Sequence, residues 1–335
     1  MKIAIDVMGG DHAPKEIIEG ALSARNEIPE LELLLVGSEE AFKQYLPEET
    51  KGVETLLSQT VMAMDESVEN LRNKKDSSIY MATEAVAEGR ADAVVSCGST
   101  GAQLAAAILL LGRLKGIKRP AIVLPFPTLN GMKVVLDGGA TVDATADNLM
   151  DFAVLGNAYA KLLTGKDSPE VVLLSNGTES HKGNALVRET HERLASTEVL
   201  RFCGNIEGRD IMKGEYDVLV TDGFTGNVVM KVTEGVASGL FHLIKEEITA
   251  TTTRKLGAAL VKPGLKNIAK RFDYNQYGGM PLLGVKGLSV VCHGSSKAEA
   301  VKNAVIGTAG FAEQNFNEVL ASEVKAYRAT LKKSE

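Results

Sequence analysis

Two stretches of this sequence repeat one pattern of chemistry. Val94-Val95-Ser96-Cys97-Gly98-Ser99-Thr100-Gly101-Ala102 and Leu219-Val220-Thr221-Asp222-Gly223-Phe224-Thr225-Gly226-Asn227 each carry an apolar run, a hydroxyl residue, then x, Gly, x, Thr, Gly leading into helix-forming residues. A glycine-rich turn that opens a helix lets backbone N–H groups approach an anion without interference from a Cβ, and the helix dipole adds about half a positive charge there. The hydroxyls of Ser99, Thr100 and Thr225 add donors, so phosphate is a reasonable ligand. Two more apolar runs end in similar turns, Asp6-Val7-Met8-Gly9-Gly10-Asp11 and Cys292-His293-Gly294-Ser295-Ser296. Neither repeated turn has the G-x-x-x-x-G-K-[ST] or G-x-G-x-x-G spacing, which weakens the ATP and NAD readings. The plain alternative is that the glycines make tight strand-to-helix turns and the hydroxyls cap helices.

Other candidates follow the same logic. Ser175 to Asn184 again links a strand to a helix and adds His181, Lys182 and Asn184, of which the lysine suits an oxyanion. Phe202 to Asp210 has two glycines bracketing Asn205, Glu207 and Arg209; an amide and a guanidinium both suit phosphate, although Arg209 is equally able to pair with Glu207 or Asp210. Asp6, Asp11, Asp137, Asp143, Asp147 and Asp222 gather near strand ends, where Mg²⁺ has to be weighed against helix capping. The expectation is no metal. His12 and His293 are the histidines nearest that edge, and either is a general-base candidate or a structurally satisfied ring.

These groups need a scaffold. Short Val-, Ile- and Leu-rich runs without clean alternation read as strands covered on both faces: Lys2 to Val7, Leu31 to Val36, Ala93 to Ser96, Pro120 to Leu124, Lys133 to Asp137, Val171 to Ser175, Asp217 to Thr221 and Leu288 to His293. Helical periodicity lies between them, over Ser77 to Glu88, Ala102 to Leu111, Asp147 to Leu163, Leu186 to Ser196, Gly226 to Ile248 and Lys297 to Tyr327. The alternation predicts an α/β fold with a largely parallel sheet, whose strand ends share one edge where ligands bind. No Pro-rich linker or repeat divides the 335 residues, so the chain is read as one unit over residues 1–335.

Composition excludes several classes. With 37 Lys plus Arg against 43 Asp plus Glu the net charge is −6, so the chain as a whole is no nucleic-acid binder by charge. Three dispersed cysteines, odd in number and without C-x-x-C spacing, offer neither a disulfide framework nor a structural zinc pattern. The longest apolar run, Leu104 to Leu111, is too short to span a bilayer, and Asp6 interrupts any signal-like N-terminus. A cytoplasmic location is expected. One segment departs from the overall charge: from Ile248 to Phe272 there is no acidic residue, while Arg254, Lys255, Lys262, Lys266, Lys270 and Arg271 supply six positive charges. Leu256 with Leu260, and Leu265 with Ile268 and Phe272, fall at helical spacings interrupted by Pro263-Gly264. Two short amphipathic helices with a bend there are expected, suited to anionic lipid or an acidic protein. The preceding segment, Thr225 to Ile248, is a candidate dimer interface.

Taken in order, Asp6-Val7-Met8-Gly9-Gly10-Asp11-x-x-Pro14, Ser96-x-Gly98-Ser99-Thr100-Gly101-Ala102, Arg119-Pro120-Ala121, Lys182-Gly183-Asn184, Gly204-Asn205-Ile206-Glu207-Gly208-Arg209-Asp210, Thr221-Asp222-Gly223-Phe224-Thr225-Gly226-Asn227-Val228, Tyr277-Gly278-Gly279-x-Pro281-Leu282-Leu283-Gly284 and His293-Gly294-Ser295-Ser296 resemble the bacterial phosphate acyltransferase (PlsX) family over nearly the whole chain. The resemblance implies transfer of a long-chain acyl group from acyl-[acyl carrier protein] to inorganic phosphate, for phospholipid synthesis. It also implies a homodimer with a Rossmann-like α/β/α core, akin to phosphotransacetylase and isopropylmalate dehydrogenase, in peripheral contact with the membrane and a downstream glycerol-phosphate acyltransferase, without a cofactor. Two departures stand out: Cys97-Gly98-Ser99 replaces a common Ala-Gly-Asn, and Asp137-Gly138-Gly139-Ala140-Thr141-Val142-Asp143 replaces Asp-x-Gly-Ala-Asn-x-Asp.

Under that implication Lys182, Asn184 and the Gly98 to Gly101 turn hold phosphate, Asn205 and Asn227 face the thioester carbonyl, and Asp222 orders the site. Asp6, Gly9, Gly10, Gly223, Thr225, Gly226 and His293 complete the expected substrate contacts. Arg254, Lys255, Leu256, Leu260, Lys262, Lys266 and Lys270 are expected to meet carrier protein or membrane. Three other functions compete: a Mg²⁺-assisted NAD-dependent hydroxyacid dehydrogenase, for which the arginines are too dispersed; a short-chain phosphotransacetylase using coenzyme A; and a noncatalytic membrane scaffold, which leaves the glycine turns unexplained.

Overall fold

The structure, a computed structural model, describes residues 1–48, 50–271 and 279–331, with Lys270, Arg271 and Leu331 described in backbone alone. Phe272 and the Tyr277-Gly278 pair lie outside the described residues. The strands are β1 (Lys2–Asp6), β2 (Glu32–Gly37), β3 (Val53–Leu57), β4 (Ala93–Ser96), β5 (Ala121–Ile122), β6 (Leu124–Thr128), β7 (Gly131–Leu136), β8 (Glu170–Ser175), β9 (Arg201–Glu207), β10 (Val218–Val220), β11 (Met280–Leu283) and β12 (Leu288–Val291). The α-helices are α1 (Lys15–Glu27), α2 (Glu39–Tyr45), α3 (Ser78–Ala87), α4 (Thr100–Ala106, continued by a π turn over Ala107–Leu111), α5 (Ala146–Thr164), α6 (Ala185–Ala195), α7 (Gly223–Thr249), α8 (Thr252–Arg271), α9 (Ala298–Glu313) and α10 (Phe316–Leu331).

These strands form two sheets. One runs β3-β2-β1-β4-β12-β11-β5 and the other β6-β7-β10-β8-β9. Pairing is parallel except at β11, with β12 and β5, and at β6, with β7. Residues 3 to 5 of β1 are fully buried, as a parallel strand covered on both faces must be. A continuous apolar cluster runs beneath both sheets, from Ile5 and Leu33 through Phe152 and Leu155 of α5 to Val134 and Val218, with Phe316 and Tyr327 of α10 against it. Helix α5 is cut out locally: Thr145 and Asn148 form a reciprocal capping box at its start, and Gly165 closes it with φ +68°.

The expected Pro120 to Leu124 strand is really two strands, because the chain leaves the first sheet at Ile122 and enters the second at Leu124. The expected helix over Lys297 to Tyr327 breaks at Gln314-Asn315, where Asn315 adopts φ +51°. Strands β3, β9 and β11 have no counterpart in the sequence reading; β3 and β9 are edge strands with half-exposed patterns and lack an all-apolar run. The basic segment also differs: its bend lies at Ala250-Thr251, before α8, and Pro263 sits inside one helix instead of between two. The β-branched run Thr251-Thr252-Thr253 supplies a break, with the Thr251 hydroxyl accepting the Arg254 N–H at 3.3 Å. No helix of the described residues is long and apolar enough to cross a membrane.

An acidic pivot ties α5 to its neighbours. Asp147 accepts from Lys118 and, at 2.6 Å, from Arg193, and these two hydrogen bonds, Lys118's first, hold its carboxyl down to about 2. A depressed carboxyl stabilises the fold above its ordinary range near 3.8, and that stabilisation disappears as pH falls toward about 2. The side chain is 39% exposed, so solvent screening cuts the contribution to about 1 kcal/mol. Asp147→Asn is therefore expected to lower stability by about that amount at pH 7 and by almost nothing near pH 2, as read from urea melts at the two pH values.

Candidate active site

A cleft between the two sheets is lined by β6, α7, β11 and the end of β12. The Gly138 N–H donates to the Ile122 carbonyl at 2.9 Å, joining the end of β7 to the crossing point between sheets. Helix α7 starts at the end of β10 and borders the cleft, so that Lys231 Nζ lies 3.0 Å from His293 Nε2, just past β12. On the other side of the ring, Nδ1 lies 2.9 Å from Ser295 Oγ and accepts from the Ser295 N–H at 3.4 Å. Burial and the Lys231 charge both hold His293 below its ordinary value, keeping it neutral at pH 7.

On the first sheet the expected residues do converge. Asp6 is buried at the end of β1, with Oδ2 accepting from Ser96 Oγ at 2.6 Å, and burial pushes its carboxyl up. Gly9 and Gly98 pack back to back: a Cβ on Gly9 would lie 2.5 Å from Asp6 Oδ2 and 2.8 Å from the Gly98 nitrogen. The Gly98 N–H is already taken by Ser96 Oγ at 3.0 Å, and Ser99 Oγ caps α4 through the Ala102 N–H. The part of this turn able to meet an anion is thus narrower than the spacing suggests. It is the first-turn N–H groups of α4, which no intrahelical carbonyl reaches, beside the exposed Thr100. Gly10, at φ +107°, brings the next loop against Cys97 and the Gly294 carbonyl.

On the second sheet the glycines serve close packing. A Cβ on Gly223 would come within 2.7 Å of Asp137 Oδ2, and one on Gly226 would overlap the Asp137 carbonyl. Asp222 caps α7, with Oδ1 accepting the Thr225 N–H and Oδ2 the Thr225 hydroxyl, both at 2.8 Å. The Thr225 hydroxyl is therefore committed to Asp222, not to an incoming anion. Asn227, exposed, follows that first turn and lies near Gly139.

The third group sits at the ends of β8 and β9. Asn184 caps α6 through the Val187 N–H at 2.9 Å, and Lys182 is exposed beside it. Asn205 departs from its expected role: it is buried, Nδ2 donates to the Glu179 carbonyl at 3.0 Å and Oδ1 lies 2.9 Å from His191 Nδ1. Its amide braces the loop that carries Lys182, because both ends are engaged inside the fold. Arg209 is exposed and pairs with Glu207, so it too is occupied.

The aspartates do not assemble a metal site. Asp137 is fully buried with its oxygens on the N–H groups of Ile122, Gly139, Ala140 and Thr141, and Asp147 is held by two cations. Among the described residues no three His, Cys, Asp or Glu side chains gather as ligands. Cys97 and Cys292 lie side by side, and their contact together with burial pushes the Cys97 thiol well up, so it is a poor nucleophile. A second cavity, between the starts of α5 and α6, sets Lys118, Arg119 and Arg193 against Asp143, Asp147 and Glu189, a balance that does not favour an anion.

The sequence reading missed Lys231, although helical spacing holds the signal: it follows Asn227 by four residues and precedes Glu234, its partner at 3.0 Å, by three. It also missed an apolar pocket beside His293, lined by residues from four separated segments. In the basic segment Arg254 is tied to Glu247 and the end of α7, whereas Leu256 and Leu260 are 71% and 83% exposed.

Comparison with known proteins agrees with this architecture. The family model described as "Fatty acid synthesis protein" matches residues 1–319. The chain is 50% identical over 333 residues to a phosphate acyltransferase of Desulfitobacterium hafniense, covering 98% of this chain and 99% of the relative. It is 43% identical to one of Brevibacillus brevis over 338 residues, covering both chains completely. Among solved structures, a phosphotransacetylase from Streptococcus pyogenes superposes with a TM-score of 0.59 at 20% identity, covering 94% of each chain, which relates the fold. With a family model and full-length relatives in agreement, the chain belongs to the phosphate acyltransferase family.

Proposed function

We propose that the protein transfers a long-chain acyl group from acyl-[acyl carrier protein] to inorganic phosphate, giving acyl phosphate for phospholipid synthesis. The observation that carries this reading is the full-length likeness to phosphate acyltransferases, supported by glycine turns at the strand ends of both sheets and by the Lys231–His293 contact from α7 to the end of β12. Phosphate oxygen forms the new C–O bond at the thioester carbonyl, the C–S bond breaks, and the carrier sulfur leaves with the electron pair and takes up a proton. Phosphate is itself the nucleophile, so positioning and oxyanion stabilisation supply the catalysis. In this reading Lys182, Asn184 and the first turn of α4 hold phosphate, Asn227 donates to the carbonyl, and Asp222 fixes the start of α7. Asn205 contributes by holding the Lys182 loop.

The test is purified protein with palmitoyl-[acyl carrier protein] and labelled inorganic phosphate, following free carrier thiol and labelled acyl phosphate together. Equal appearance of both is expected; thiol release without acyl phosphate, or no release from carrier or coenzyme A thioesters, refutes the reading.

The same proposal includes a homodimer. Phe224, Val228, Val232, Val236, Leu240 and Leu243 make a stripe along α7, each between 43% and 62% exposed except Val236 at 64%. Six large apolar side chains in one row on a helix are the pattern of a buried face awaiting a partner. Val236→Lys is expected to convert dimer to monomer at micromolar concentration in sedimentation velocity, and an unchanged dimer removes α7 from the interface. The α8 face with Lys255, Lys262 and Lys266 beside Leu256 and Leu260 suits peripheral contact with the acidic carrier or an anionic bilayer.

A further inference from the structure

We propose that Cys97 and Cys292 form a reversible intramolecular disulfide when a hydroperoxide enters the apolar pocket beside His293, and that this bond draws together the loops that follow β4 and β12. These strands are parallel neighbours with Ser96 level with Val291, and their last ladder bond runs from the Cys292 N–H to the Ser96 carbonyl at 2.8 Å. Cys97 and Cys292 therefore stand opposite one another, one step beyond the ladder. They also share a face: Val95 and Cys97 of one chain segment and Val290 and Cys292 of the other belong to one apolar cluster, whereas Val94 packs in a second cluster across the sheet. Neighbouring strands lie about 4.8 Å apart and a disulfide joins Cα atoms about 4.4–6.8 Å apart, so the pair is within bonding reach.

The two thiols differ in access, which fixes the order of the chemistry. Cys292 lines the pocket, while Cys97 is 1% exposed and touches Cys292 from behind it. The pocket holds about 70 Å³, and a water needs only about 10–15 Å³ of such space, so hydrogen peroxide fits. The Cys292 sulfur attacks one peroxide oxygen, the O–O bond breaks, and Cys292 becomes a sulfenic acid as water leaves. The Cys97 sulfur then attacks the Cys292 sulfur, the S–O bond breaks, and the departing hydroxide takes the Cys97 proton as a second water. Two thiols are oxidised and one peroxide is reduced. Burial keeps Cys97 from the peroxide, and contact with Cys292 supplies the proximity for the second step. Closing the bond brings the Cβ atoms to about 3.8 Å from the roughly 4.8 Å between strands, a pull of about 1 Å. It acts on loops of the cleft, because Gly98 follows Cys97, His293 follows Cys292, and a Cβ on Gly10 would lie 3.0 Å from Cys97 Cβ. A misplacement of that size costs about 10²-fold in rate.

The experiment uses the full chain with the exposed third cysteine replaced, Cys203→Ser, so that only the pair remains. The reduced, folded protein is treated with a small excess of hydrogen peroxide and quenched with catalase. Remaining thiols are then alkylated in guanidinium and read by intact mass and peptide mapping. Expected are loss of both thiols together, loss of two hydrogen atoms without added oxygen, one peptide pair joining Cys97 to Cys292, and return of both thiols with dithiothreitol. Adding Cys97→Ala is expected to stop the chemistry at a Cys292 sulfenic acid that dimedone traps, and adding Cys292→Ala to leave Cys97 unreacted. Survival of both thiols, Cys292 sulfinic acid with Cys97 still alkylated, or a disulfide between two chains overturns the site. The Cys203→Ser parent gives that answer even where a second substitution lowers the thermal midpoint. Turnover of palmitoyl-[acyl carrier protein] reads the consequence: kcat/KM is expected to fall at least tenfold on oxidation, to recover with dithiothreitol, and to hold through the same treatment in Cys292→Ala. A disulfide that leaves kcat/KM unchanged overturns the pull on the loops. A reduced parent that turns over no donor sinks the acyl-transfer reading alone, and mass still decides the disulfide.

Discussion

Asp137→Ala is expected to cost about 4 kcal/mol or more of folding stability. The carboxylate is fully buried and accepts from the N–H groups of Ile122 at 2.8 Å, Gly139 at 3.3 Å, Ala140 at 3.2 Å and Thr141 at 2.6 Å. Removing it orphans donors that the fold shields from water, at roughly 1–3 kcal/mol for each one fully buried. The same carboxylate supports both the crossing between sheets, through Ile122, and the loop on which Gly223 and Gly226 seat α7. A typical domain has only about 5–15 kcal/mol in reserve, so the variant should melt early in urea or fail to accumulate. Asp137→Asn keeps one oxygen for these donors and should lose less than half as much. A midpoint for Asp137→Ala that matches wild type would show that the brace is dispensable.

Lys182→Ala is expected to have the opposite signature, a large kinetic loss on an intact fold. Lys182 is exposed at the start of α6, and its side chain runs past Gly177, whose Cβ would lie 2.7 Å from Lys182 Cγ. A cation placed to hold an attacking dianion acts in binding and in the transition state, and losing one such electrostatic contact costs about 10²-fold or more in kcat/KM. Most of that should be read as a higher KM for phosphate, with the KM for the acyl carrier unchanged, and Lys182→Arg should recover part of it. Unchanged phosphate saturation would take Lys182 out of the site. Asn205→Ala supplies the contrast: it frees the loop from the Glu179 carbonyl and His191, so stability and phosphate binding should fall together.

Much of this was legible in the chain alone. Parallel strands covered on both faces need unbroken Val, Ile and Leu runs, and β1, β4, β7, β8, β10 and β12 are found where such runs stand. Glycine turns at their ends were equally visible, because a backbone that must approach another closely tolerates no Cβ, and Gly9, Gly223 and Gly226 prove to be such positions. Edge strands β3 and β9 escaped, since a half-exposed strand needs no apolar run. Which donors remain open also escaped. Ser99 and Asp222 have the residue types of ligand contacts and of helix caps alike, and only the folded hydrogen bonds show that each caps a helix. Lys231 meets His293 across 62 residues, and the apolar pocket draws its walls from β6, α7, β11, β12 and α9. Local pattern specifies strand, turn and helix because those obey short-range sterics; the pairing of distant side chains depends on how two sheets close on one another, which no local spacing encodes.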